Sequence, residues 1–253
     1  MFENGDLTTD GFLGGRLTIL QPRMGYRAAT DPVLLAASVP AMAGQKVLEL
    51  GCGAGVASLC LAARVEGLQS VGVERQPAYA DLARRNAAAN GLSVEVITAD
   101  LAQLPKALRA TSFDHVFANP PYFRAGGGTQ ARDQGREAAF REETPLAAWI
   151  DAGLKRLSPG SWLTMIHLAE RLGDILDALR GRAGSVLILP IAPRPGRAAT
   201  RVLVRARKGG KAPLQLLTPF ILHDGAEHLA DGDDFTAAAR SVLRHGAALP
   251  GWK

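Results

Sequence analysis

The chain has 253 residues, 47% of them hydrophobic and 21% charged, with a formal net charge of +5. That balance excludes a disordered or fibrous chain, and a chain of this length buries enough surface to hold a core without staples. Charged residues interrupt every run approaching the roughly 20 apolar residues of a membrane helix, and the acidic start at residues 1–6 has no apolar run behind it, so neither a membrane span nor a signal peptide is expected and a cytoplasmic location is.

From residue 46 onward, short β-branched runs alternate with Ala/Leu/Arg-rich stretches. Residues 46–50 read as a buried strand that enters a glycine turn and then a helix to about 65. Residues 70–74 form a second strand. Pro77 suits the first turn of the next helix, which Asn90-Gly91 stops. Residues 94–97 are a third strand ending at Ala99-Asp100, and residues 113–118 a fourth, running into Asn119-Pro120-Pro121-Tyr122. A helix over 146–157 leads through Ser158-Pro159-Gly160 to a fifth strand at 162–168. Residues 185–191 and 201–207 are the sixth and seventh, with no convincing helix between them, so an antiparallel pair is expected at one edge. This alternation predicts an α/β fold with a mostly parallel, seven-stranded Rossmann-like sheet, whose ligands lie beyond the carboxyl ends of the strands. The polar stretch opened by Ala125-Gly126-Gly127-Gly128 reads as a loop at the mouth of that site.

The strand ends carry the chemistry. The first runs into Glu49-Leu50-Gly51-Cys52-Gly53-Ala54-Gly55. Its glycine spacing differs from the dinucleotide fingerprint, and a carboxylate two residues ahead of the glycines repels pyrophosphate but suits an ammonium group. The pair favours S-adenosylmethionine over NAD. Glu74, ending the second strand, is placed to accept from both hydroxyls of a ribose. Asp100, ending the third, can accept from an adenine amino group, cap the following turn, or do both. At the fourth, the Asn119 side-chain oxygen and the Pro120 carbonyl form a pair of acceptors for a planar amino group, and such acceptors favour a nitrogen becoming positive. Tyr122 offers a ring for stacking on a base or amide.

In order and spacing, these elements resemble the motifs of class I S-adenosylmethionine-dependent methyltransferases of the amino-methylating type, over residues 44–208. Within them the chain is most similar to the tRNA adenine-N6 methyltransferases that act on the anticodon loop of tRNA1(Val). The closer features are Phe123 after Asn-Pro-Pro-Tyr and the segment from Gln21 to Leu35, with Gly25, Thr30-Asp31 and Leu34-Leu35. The resemblance implies a methyltransferase domain over 44–253 and an N-terminal extension over 1–43 that covers the cofactor. It implies cofactor binding at Glu49, Gly51, Gly53, Glu74 and Asp100, with their neighbours Cys52, Gly55, Arg75 and Leu101, and with Asn119, counted with them. Asn119, Pro120, Pro121 and Tyr122 form the catalytic corner, and Phe123 and Arg124 lie toward substrate. The substrate it implies is a nucleic acid, tRNA first; rRNA or DNA bases, a protein glutamine and a small molecule stay open, as do monomer and homodimer.

Three features remain open. Asp31 is either a helix cap or part of the pocket, and Arg27 is a candidate for pairing with a cofactor carboxylate or substrate. The basic stretch from Arg194 to Lys211, which holds no Asp or Glu, is either a strand with solvated arginines or a phosphate-facing surface, helped by arginines between 124 and 141. No metal is expected: His223 and His228 have no thiolate beside them, and neither Cys52 nor Cys60 has a base nearby in sequence.

Overall fold

A computed structural model describes residues 1–124, 141–142, 144–225, 227 and 234–252. In chain order the elements are β1 (Leu7–Phe12), β2 (Leu17–Pro22), α1 (Asp31–Ser38), β3 (Lys46–Leu50), α2 (Val56–Arg64), β4 (Gln69–Glu74), α3 (Pro77–Ala89), β5 (Val94–Thr98), α4 (Lys106–Ala110) and β6 (Phe113–Ala118). There follow the two-residue pair β7 (Phe123–Arg124) and β8 (Arg141–Glu142), then α5 (Leu146–Arg156), β9 (Leu157–Leu168), α6 (Leu172–Leu179), β10 (Ala183–Ala192), β11 (Arg201–Lys208), β12 (Gln215–Leu216), β13 (Phe220–Ile221) and α7 (Ala237–His245).

The central sheet runs β12-β10-β11-β9-β6-β3-β4-β5, and β13 also pairs with β10. Strands β9, β6, β3, β4 and β5 are parallel. Beyond the seven expected strands, β12 and β13 therefore extend the outer edge. The antiparallel strand sits inside that edge: β11 pairs antiparallel with both β10 and β9. Its five central residues, Val202 to Ala206, are all buried, and a strand covered on both faces belongs in a sheet interior. The Ser158-Pro159-Gly160 turn is absorbed into β9 as a slip in register opposite Phe113 and His115.

Apolar clusters cover both faces of the sheet. One gathers α1, α2 and α7, with Leu34, Leu59, Leu61 and Val242. The other gathers α4, α5 and α6, with Leu108, Ile150 and Ile175. The N-terminal segment belongs to the first. Its β1–β2 hairpin inserts Leu7, Leu17 and Ile19 there, and the α3 asparagines read its edge: Asn86 exchanges hydrogen bonds with the backbone of Leu20 at 2.8 and 3.0 Å, Asn90 with that of Thr18 at 2.9 and 2.8 Å. Asn86 also donates to the Ala54 carbonyl, so one buried amide ties the hairpin to the glycine turn. At the other end of the chain, the Trp252 indole donates to the Ser38 carbonyl of α1 at 2.7 Å.

Candidate active site

The carboxyl ends of β3, β4, β5 and β6 open into one cavity. It is lined by Glu49, Gly51, Cys52 and Gly53 from the first turn, and by Glu74 and Arg75 from the second. Asp100 and Leu101 complete the third side, and Asn119, Pro120, Pro121 and Tyr122 the fourth. Gly55 caps α2 just behind them, at φ 86°.

The turn needs its glycines. Gly51 lies at φ +67°, and a methyl group added there would come within 2.5 Å of the Trp149 ring. Across the sheet, a methyl on Gly72 would come within 2.9 Å of the Cys52 sulfur. The backbone is thus held against two side chains, which leaves the ligand side open.

Three carboxylates give the cavity its charge preference. Glu49 is buried, and its Oε2 accepts from the Ser58 amide at 2.9 Å and from the Ser58 hydroxyl. Burial pushes its pKa up to about 8 despite those bonds, and among the described residues no cation is paired with it. Glu74 accepts from the Gly53 and Gln76 amides at 2.9 and 2.8 Å, one on each oxygen; burial raises its pKa too. Asp100 accepts from the Ala102 amide at 2.8 Å, capping a single turn of 3-10 helix, while also lining the cavity. Cys52 is a buried thiol, and burial beside Glu49 and Glu74 drives its pKa well up, so it stays protonated.

Further residues complete the wall that the strand-end pattern does not pick out. Tyr26, Ala28 and Pro32 come from the N-terminal segment, Tyr79 from α3 and Trp149 from α5. The Tyr79 hydroxyl clasps the Tyr26 backbone, accepting from its amide at 2.9 Å and donating to its carbonyl at 3.2 Å. Tyr26 stands over the glycine turn, 3.8 Å from where a Gly53 Cβ would lie. Tyr26 falls within the 21–35 segment already singled out, whereas no local signal marks Trp149.

Two open residues take definite places. Asp31 begins α1 but makes no cap; its carboxylate accepts from the Tyr122 hydroxyl and, at 3.0 Å, from Arg201 Nε. Arg27 is not at the cavity. It is held in the hairpin by Asp10 at 2.7 Å, Thr8 at 2.6 Å and the Pro22 carbonyl, because Asp10 on β1 supplies the nearby carboxylate.

The basic stretch turns largely inward. Arg194 pairs with Asp234, Arg201 with Asp31, and Arg207 and Lys208 donate to the carbonyls of Gly160 and Leu157. Arg205 is 2% exposed, its guanidinium 4.8 and 5.0 Å from the Trp162 and Trp252 rings. The stretch is therefore a strand with flanking turns, but only Arg197, Arg207 and Lys211 among its cations are exposed, so its arginines are not uniformly solvated. The loop between 124 and 141, and the side chains of Phe123 and Arg124, lie outside the described residues, as does His228. His223 bonds to Asp234, and among the described residues no group of three His, Cys, Asp or Glu is placed to hold a metal.

Comparison with known proteins decides the family. The model of the methyltransferase small domain matches residues 29–136. A tRNA1(Val) (adenine(37)-N6)-methyltransferase of Porphyromonas gingivalis is 32% identical over 220 residues, covering 81% of this chain and 84% of that one. The chain belongs to this methyltransferase family. A second relative of the same description, from Dickeya chrysanthemi, is 29% identical over 86% of this chain and 88% of its own. Among solved structures, one described as a predicted O-methyltransferase from Agrobacterium tumefaciens is 30% identical, with a TM-score of 0.70 over 86% of this chain and 97% of that one. A Thermus thermophilus 16S rRNA N2 G1207 methyltransferase, in complex with AdoMet and guanosine, shares the fold at a TM-score of 0.58 and 21% identity, covering 80% of this chain and 50% of that one. The enzyme is an S-adenosylmethionine-dependent methyltransferase, and the buried Glu49 carboxylate without a cation fits the ammonium group of that ligand.

Proposed function

We propose that this enzyme methylates N6 of an adenine in tRNA, at the position named for its relatives, adenine 37 of tRNA1(Val). The observation that carries the reading is the convergence of Asn119 and Pro120 on the same cavity as Glu49, Glu74 and Asp100. When bound, S-adenosylmethionine supplies a methyl group on a positively charged sulfur. Glu49 would hold its ammonium, Glu74 its ribose hydroxyls and Asp100 its adenine amino group.

The remaining steps belong to the protein. Asn119 Oδ1 and the Pro120 carbonyl accept the two hydrogens of a primary amine and orient its lone pair. As that nitrogen takes on positive charge, both contacts strengthen, so they stabilise the transition state more than the ground state. A hydroxyl has one hydrogen and cannot use both acceptors, which favours an amine over the oxygen acceptor in the description of the Agrobacterium protein. To reach this corner, the base must leave its stack. The cytoplasm is where such a tRNA substrate would be met, and the N-terminal segment would cover the cofactor through Tyr26, Ala28 and Pro32.

The test is mass spectrometry of nucleosides from tRNA incubated with enzyme and cofactor. N6-methyladenosine is expected, and Asn119→Ala should lower its yield about 100-fold, the scale of losing one transition-state hydrogen bond. Label transferred to protein alone would replace tRNA with a glutamine side chain; unchanged yield from Asn119→Ala would remove the catalytic corner.

A further inference from the structure

A chain of polar contacts runs from β11 through α1 to the catalytic corner. Arg201 Nε donates to Asp31 Oδ2 at 3.0 Å, and the same oxygen accepts from the Tyr122 hydroxyl. The Arg201 guanidinium also lies 4.7 Å over the Tyr122 ring, and His167 meets that ring edge-on at 5.4 Å. The Tyr122 oxygen is 2.9 Å from Asn119 Oδ1, and the far side of the Asn119 amide is 3.4 Å from the Tyr26 hydroxyl.

A phenol has one proton and cannot donate to both Asp31 and Asn119. Asp31 is the stronger acceptor, being a carboxylate, and charge-assisted bonds are the shorter and stronger ones. Once Asp31 takes the proton, an Asn119 oxygen 2.9 Å from the Tyr122 oxygen would set two acceptors against each other. Turning the amide by a half-rotation removes that conflict with no change of shape, since its oxygen and nitrogen exchange places. Nδ2 then donates to Tyr122, and Oδ1 faces Tyr26, the residue that stands over the glycine turn.

We propose that Asp31, held by Arg201, is a positioning residue: by taking the only Tyr122 proton, it makes the phenol an acceptor and commits the Asn119 carbonyl oxygen to the cofactor side of the site. The inference rests on the reading of Asn119 as acceptor for the amine. Asp31 touches neither substrate nor cofactor in this scheme. It acts through Tyr122.

The test is a double-mutant cycle of Asp31→Asn and Tyr122→Phe, read by single-turnover methyl transfer to tRNA, by KM for tRNA, and by calorimetric binding of S-adenosylmethionine. Asp31→Asn should lower the methyl-transfer rate at least 10-fold, with KM and cofactor affinity within twofold of the parent. In the Tyr122→Phe background, the same substitution should change the rate less than threefold, because the hydroxyl through which Asp31 acts is gone. Asp31→Glu should restore part of the rate. An equal loss in both backgrounds would overturn the proposal, as would a loss confined to KM or cofactor binding. If Asp31→Asn does not fold, Tyr122→Phe decides alone: it keeps the ring under Arg201, and an unchanged transfer rate overturns the scheme. Failure of the parent enzyme to form N6-methyladenosine would instead overturn the tRNA reading.

Discussion

Burial holds the Glu49 carboxyl at about pH 8 instead of its ordinary 4.5, and this has a definite sign. Between those two values the folded protein holds a proton that the unfolded chain has released, so stability falls as pH rises through that window. Without ligand, the enzyme should therefore lose thermal stability from pH 5 to pH 8, and Glu49→Gln should flatten the decline in a series of melts. An ammonium group reverses the preference by favouring the charged carboxylate. Cofactor binding at pH 7 should accordingly release up to about one proton per site, measured as a dependence of calorimetric heat on buffer ionisation, and Glu49→Gln should abolish that release. The residues of this site were legible where one strand end holds the whole signal, as in Glu49 with its glycines or Asn119 with its prolines. The Asp31–Tyr122–Arg201 contact was not, because its members are 91 and 170 positions apart and no periodicity links them.

At the scale of elements, β11 shows how a charge pattern misleads. Arginines read as solvated or ligand-facing, yet Arg205 is buried between two indoles, and among the described residues its Nε and Nη1 have no hydrogen-bond partner. Burial lowers its pKa to about 10, a sign that the charge itself is unwelcome. Replacing a buried charge with a well-packed apolar chain is often neutral or stabilising. Arg205→Met should thus match or exceed the parent in denaturant melts, while Arg205→Ala, which leaves a hole between the rings, should lose about 2–4 kcal/mol. The parallel strands were readable because each is a short run rich in apolar, β-branched or aromatic residues and bounded by turns. Strand β1 was not: Leu-Thr-Thr-Asp-Gly-Phe gives one buried residue, and its place comes from pairing with β2, which Asn86 and Asn90 hold in turn.

For the whole molecule, both ends of the chain converge on α1. Its first residue is Asp31, its last carbonyl accepts from Trp252, and the Ala37 carbonyl accepts from the Leu249 amide at 3.0 Å. Trp252 is 5% exposed, so Trp252→Ala should cost about 3–5 kcal/mol in guanidinium unfolding, the range for truncating a buried aromatic ring. Activity should fall at lower denaturant than the bulk transition, because α1 carries Asp31. This closure was not legible in the sequence, since it joins segments far apart along the chain in one apolar cluster.

The Ser38–Trp252 bond also bears on the order of folding events. Its partners stand 214 positions apart, so closing that loop costs chain entropy before the bond repays it, and the contact should form after the local strand pairings.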